Sequence, residues 1–177
     1  SNPYDAKGLL IAAMEDPDPV LVLETMKNYR SKREEVPVGK YTVEIGKGAI
    51  VREGTDVTLI AWGAMISIAE KAAEQAEKKG ISCEIIDLRT LYPIDRDIIA
   101  QSVQKTTRAV IIHEAHNSGG LGNDLVSIIN DTSFLYLRAP IERVTGFDVP
   151  VPFFTLEEHY LPTPARVVEG IEKVVHF

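Results

Sequence analysis

The stretch Ile111-Ile112-His113-Glu114-Ala115-His116-Asn117-Ser118-Gly119-Gly120-Leu121-Gly122, near the middle of the chain, decides the fold. Its apolar beginning is typical of a buried strand that stops at His113-Glu114; a glycine-rich turn follows, and a helical pattern begins after it. In open α/β sheets such a junction lies at the carboxyl end of a strand, where ligands and partner subunits usually bind. The stretch therefore predicts an α/β sheet with a candidate site at that edge, although it lacks the groups needed to run a reaction alone.

The same strand–turn–helix pattern recurs on both sides of this stretch. Apolar runs predict strands at 57–62, 83–88, 109–112 and 141–145. Helical patterns follow Gly63, Asp95, Gly122 and Thr163, where Asp95 is a predicted N-cap and Thr163-Pro164 a typical helix start. Because strand and helix alternate from Asp56 onward, we expect a mostly parallel sheet with helices on both faces.

The first part of the chain follows a different pattern. Asp5 is predicted to cap a short helix, and Val20–Leu23 are predicted to form a buried strand. Residues 24–40 are polar and irregular, as in a linker, and Tyr41–Ile45 with Ala49–Arg52 are expected to form a strand pair around a glycine turn. The opening residues thus resemble one α–β unit that belongs to a different sheet.

Composition excludes several classes of function. The 177 residues are 45% hydrophobic and 25% charged, as in ordinary globular proteins, and the net charge of -7 argues against nucleic-acid binding. No apolar run approaches the roughly 20 residues that cross a bilayer. The lone Cys83 is expected to be buried and unpaired, which favours a reducing, intracellular compartment. Since the chain begins Ser1-Asn2-Pro3, we expect a processed product or a piece of a longer chain.

The glycines Gly119, Gly120 and Gly122 precede a helix and could expose backbone N–H groups to an anion. The pattern is neither the G-x-G-x-x-G of dinucleotide-binding folds nor a P-loop, because no Gly-Lys-Ser/Thr follows. The alternative is that the glycines permit close packing, within the domain or against another subunit. Both interpretations stay open on the sequence alone.

Titratable side chains at the strand ends are the other candidates. His113 and His116 flank Glu114, but a metal site would need further ligands that the sequence does not supply, so we expect no metal. The histidine and glutamate could do acid–base work or hydrogen-bond a loop or neighbouring subunit. Arg89 could meet a carboxylate through two hydrogen bonds, for example in a salt bridge between subunits. A serine hydrolase is excluded because no G-x-S-x-G occurs.

Five blocks spread along the chain carry a resemblance to a known family: Asn2–Leu10, Glu53–Gly63, Cys83–Thr90, His113–Ala115 with Gly119-Gly120, and Ala139–Pro150. In these blocks the chain resembles the β subunit of the E1 component of 2-oxo acid dehydrogenase complexes. Within that family, Ala61-Trp62-Gly63 and His113-Glu114-Ala115 resemble the branched-chain type more than the pyruvate type.

The resemblance implies a domain organisation and an activity. Residues 1–30 would be the end of a pyrimidine-binding domain, 31–40 a linker, and 41–177 a transketolase C-terminal domain. The whole enzyme would be an α2β2 assembly that uses thiamine diphosphate and Mg²⁺ to decarboxylate a branched-chain 2-oxo acid and acylate E2 lipoyl groups. Its partners would be the E1 α subunit, a second β subunit and the E2 acyltransferase, in the cytoplasm of a prokaryote or the mitochondrial matrix of a eukaryote.

The resemblance also implies what this chain lacks. The family's catalytic glutamate and histidine, and the G-D-G…N motif for diphosphate and Mg²⁺, have no counterpart here, so we expect no catalytic residue and no cofactor binding by this chain alone. Glu172 and Phe177 are candidate E2-docking residues. The alternatives are a pyruvate-type E1β, a free-standing flavodoxin-like anion-binding module, and the C-terminal half of a transketolase or deoxyxylulose-phosphate synthase. The block Glu142–Gly146 favours E1β over the last of these.

Overall fold

The computed structural model describes all 177 residues of the chain. Six helices and five strands follow in the order α1 Pro3–Glu15, β1 Ala49–Arg52, β2 Val57–Ala61, α2 Met65–Glu77, β3 Cys83–Asp87, α3 Arg96–Thr106, β4 Ala109–His116, α4 Gly122–Ser133, β5 Glu142–Gly146, α5 Glu157–Tyr160 and α6 Pro164–Val175. Short 3-10 turns occupy Met26–Arg30, Phe134–Tyr136 and Phe154–Leu156. No helix combines the length and apolar character needed to cross a membrane.

The five strands form one sheet in the order β1-β3-β2-β4-β5. β3, β2, β4 and β5 are parallel, and β1 alone is antiparallel, on the outer edge of β3. The chain moves outward from β2 to β3 and then crosses back to β4, so the strand order reverses between β2 and β4. The predicted α/β fold with a mostly parallel sheet is confirmed.

Successive residues of each strand point to opposite sides of the sheet, so the apolar strands present side chains on both faces. Helices cover both of these faces. On β2, Leu59 packs in a core with residues of α2 and α6, whereas Ile60 packs in a second core with residues of α3 and α4. Both side chains are fully buried. This arrangement explains why the parallel strands have continuous apolar runs instead of alternating ones.

Most of the expected elements from residue 57 onward are confirmed. Asp95 caps α3 by accepting a hydrogen bond from the Ile98 N–H, and Thr163 caps α6 through the Arg166 N–H. β4 continues to His116 instead of ending at Ile112, because the strand resumes pairing with β5 beyond an irregularity, with His116 opposite Gly146.

Three expectations for the first 52 residues are wrong. Asn2, not Asp5, caps α1, and its side chain accepts from the Asp5 N–H. Val20–Leu23 form no strand: they are exposed, Leu21 at 84%, since no other strand lies beside them to accept their hydrogen bonds. Residues 41–45 form no strand either, and Ala49–Arg52 pair with β3 instead.

An ion pair with a buried carboxylate lies at the opposite end of the sheet from the glycine turn. Glu84 of β3 is fully buried, and its Oε2 accepts from the Lys105 ammonium of α3 and, at 3.4 Å, from the Gly54 N–H. Glu84 Oε1 has no hydrogen-bond partner. Lys105 also pairs with exposed Glu53 at 2.9 Å, and these two carboxylates raise the pKa of the lysine. The lysine therefore compensates a carboxylate that water does not reach.

Candidate functional site

Two aromatic rings meet where β2 and β4 end, at the point where the strand order reverses. Trp62 directly follows β2, and its ring lies 4.5 Å from that of His113, tilted by 43°. The Nδ1 atom of His113 is buried without a hydrogen-bond partner. Burial lowers the pKa of His113, so the neutral imidazole is favoured at this position.

The glycine turn packs directly on His113. Gly119 has a φ of +69°, and a Cβ at Gly120 would lie 2.9 Å from His113 Cε1 and 2.9 Å from the His116 carbonyl oxygen. At the start of α4, the Asn123 N–H donates to the Gly120 carbonyl at 3.0 Å and the Asp124 N–H to the Leu121 carbonyl at 3.0 Å. Since Gly120 packs against the His113 ring and the His116 carbonyl, the geometry at this glycine favours close packing over anion binding.

The loop after β4 is attached to the loop after β5. His116 Nε2 donates to the Val149 carbonyl at 2.7 Å, and Ser118 donates from its N–H and its hydroxyl to the Asp148 carboxylate at 3.0 and 2.8 Å. The hydrogen bonds from Ser118 hold the pKa of Asp148 below its usual range. His116 therefore serves this loop contact.

Glu114 faces charged groups from two distant segments. It is half-buried, and its pKa is raised mainly by burial and slightly by Glu157, while Lys27 opposes the shift. Lys27 forms an ion pair with Glu157 at 3.0 Å. Neither Lys27 nor Glu157 was anticipated from the sequence, since no local pattern relates them to β4.

Arg89 meets a carboxylate through two contacts, as its position suggested. Arg89 Nη2 lies 2.7 Å from Asp5 Oδ1, and Nε donates to Asp5 Oδ2 at 3.0 Å. Asp5 is buried, at 2% exposure. The pair lies within one chain and attaches α1 to the end of β3, so Arg89 serves α1 and not the cluster around His113.

The two candidate docking residues lie at the end of α6. Glu172 forms an ion pair with Lys79 at 2.5 Å, and Phe177 is 80% exposed. The structure therefore leaves the Phe177 ring free, while the Glu172 carboxylate already has a partner on the chain.

The residues of this chain do not fit a site for a diphosphate cofactor and its metal ion. No group of three or more His, Cys, Asp or Glu side chains converges closely enough to hold a metal. At Gly120 the turn is filled by the His113 ring and the His116 carbonyl, as described above. The strand-end residues described above make contacts between segments of the chain, and none of them forms a nucleophile–base pair.

Fold and site together define an open α/β domain whose loops after β4 and β5 are hydrogen-bonded to each other. A family model described as the transketolase C-terminal domain matches residues 46–167. The chain belongs to this family.

Similar proteins share the whole length of the chain. It is 49% identical over 177 residues to the pyruvate dehydrogenase E1 component subunit beta of Bacillus subtilis, covering 100% of this chain and 54% of the relative. The corresponding subunit of Acholeplasma laidlawii is 45% identical over 174 residues, covering 98% and 53%. The chain thus spans about half the length of these curated relatives.

A solved structure also resembles this fold. A split-gene transketolase, described as an inactive beta4 tetramer, superposes with a TM-score of 0.68 at 31% identity, covering 76% of this chain and 44% of that one. The expected branched-chain type finds no support, because the relatives named above are of the pyruvate type.

Proposed function

We propose that the chain is the C-terminal part of the β subunit of a pyruvate-type E1 component. The observation that carries the proposal is the identity of 45 to 49% with two pyruvate dehydrogenase β subunits, which extends along nearly the whole chain. The two blocks that favoured the branched-chain type, 61–63 and 113–115, are only three residues each. An overall identity of this extent outweighs them.

The proposed reaction is the thiamine-diphosphate-dependent decarboxylation of pyruvate, followed by acylation of lipoyl groups on E2. Thiamine diphosphate supplies the carbanion chemistry and Mg²⁺ its diphosphate anchor. Both would be held by the E1 α subunit and by the remaining half of β, since the residues here do not fit them. By itself, this chain is expected to be inactive.

The role proposed for this half is assembly. Residues 1–30 would complete an upstream domain, 31–40 would be the linker, and 41–177 would be the contact domain. Large apolar side chains are exposed in two segments, as expected of surfaces covered in an assembly: Leu21, Leu23 and Met26 in one, Phe153 and Phe154 in the other. Glu172 and Phe177 remain the proposed E2-docking residues.

A graft tests the proposal. The matching part of the Bacillus subtilis β subunit is replaced by this chain, and the hybrid is produced with the Bacillus subtilis α subunit. We expect thiamine-dependent pyruvate turnover. The matched control carries the corresponding segment of the Acholeplasma laidlawii β subunit in the same region. An active control together with a folded but inactive graft of this chain would contradict the proposal.

A further inference from the structure

Residues 24–31, which we call the strap, cross the carboxyl ends of β2 and β4. At one end, Thr25 Oγ1 lies 3.2 Å from where a Cβ of Gly63 would stand, just after β2. Further along, Lys27 pairs with Glu157 at 3.0 Å, and its charge acts on Glu114 of β4. The strap therefore spans the point at which the strand order reverses.

That point is the crevice in which open α/β sheets usually bind their ligands. Here Trp62 and His113 stand at the two strand ends that border it. A segment of the chain itself lies across the position that a ligand would occupy in a related architecture. Access to the crevice thus depends on how firmly the strap is attached.

The polar attachment of the strap to the rest of the fold is electrostatic. Its hydrogen bonds are internal: the Asn28 N–H donates to the Thr25 carbonyl at 2.9 Å, and the Tyr29 hydroxyl donates to Glu24 at 2.6 Å. No hydrogen bond joins residues 24–31 to the sheet or to its helices. The side chains of Lys27 and Glu157 are 54% and 42% exposed, so their attraction is screened by solvent.

We propose that the strap is a reversible cover over the strand-end crevice, held closed by the ion pair between Lys27 and Glu157. Loss of that pairing releases the strap and opens the crevice beside Trp62 and His113. This proposal concerns the chain by itself, outside the assembly proposed above.

The test reverses the charge at Lys27 in the full 177-residue chain. In Lys27→Glu, trypsin should cleave after Arg30 or Arg33 about two- to five-fold faster, the range expected when an exposed ion pair is lost. Trp62 is the only tryptophan, so its fluorescence reports on the crevice. Quenching by neutral acrylamide should increase in the same variant, since the strap is displaced from Gly63, the residue next to Trp62.

Two further variants make the result specific. Lys32→Glu is the matched control, because Lys32 carries the same charge and pairs only with neighbouring Glu34, at 3.9 Å; it should leave Trp62 quenching unchanged. Exchanging both charges, in Lys27→Glu with Glu157→Lys, should return cleavage and quenching toward the wild-type values. Equal effects at Lys27 and Lys32, or wild-type behaviour of Lys27→Glu in both assays, would overturn the proposal.

Discussion

The buried Glu84–Lys105 pair allows one consequence to be worked out in magnitude. In Lys105→Met, the Glu84 carboxylate keeps only the hydrogen bond from the Gly54 N–H, at 3.4 Å, within a site that is fully buried. Removing one partner of a fully buried ion pair costs about 3–5 kcal/mol. Because the Lys105 side chain is 42% exposed, water can enter the vacated position, and we expect a smaller cost than for a fully buried pair, about 2–3 kcal/mol.

Urea unfolding followed by circular dichroism measures this loss in the free energy of unfolding. In thermal unfolding, the melting temperature of a chain of this size should fall by about 4–12 °C. Lys79→Met is the matched control: it removes the same charge from the exposed pair with Glu172 and should cost less than about 1 kcal/mol. The double variant Glu84→Met with Lys105→Met should recover most of the lost stability, since no charge remains buried. A Lys105→Met variant as stable as the wild type would refute the reasoning.

Four other outcomes follow from single positions. Gly54→Ala should fail to fold stably, measured as soluble yield, because its Cβ would lie 2.2 Å from the carbonyl carbon of Cys83. Burial raises the pKa of Cys83 to about 12, so iodoacetamide at pH 8 should label it only after unfolding. Burial also raises the pKa of Glu114, so the charged carboxylate destabilises the fold at neutral pH. The Glu114→Gln variant should therefore be more stable than the wild type at pH 7. This difference should disappear as the pH falls through the folded-state pKa of Glu114. Burial lowers the pKa of His113, so its NMR titration should have a lower midpoint than in a model peptide, and stability should fall as the pH drops through that midpoint.

Much of the sheet could be predicted because its strands are buried on both faces. Every residue of Val57–Ala61 and Cys83–Asp87 is buried, and each strand is followed by residues typical of a turn and then a helix. Val20–Leu23 have the same local pattern, yet they form no strand here, because a strand also needs a neighbour to accept its hydrogen bonds. Asn2 was identifiable as the cap, since Pro3 directly after it is a typical first helical residue.

The site was predictable only in part. The closeness of His113 and Gly120 follows from their positions on one short stretch of chain, and a carboxylate partner for Arg89 was anticipated without its identity. The Lys27–Glu157 contact joins distant segments and had no local signal. The expected branched-chain type rested on three-residue blocks, which carry less information than similarity along the whole chain.

The mass of the assembled graft is the most direct test of the assembly role. Native mass spectrometry of the hybrid β subunit with the Bacillus subtilis α subunit should give a species with two copies of each chain. The account would be contradicted if the hybrid β subunit folded but remained separate from α while the Acholeplasma laidlawii control assembled.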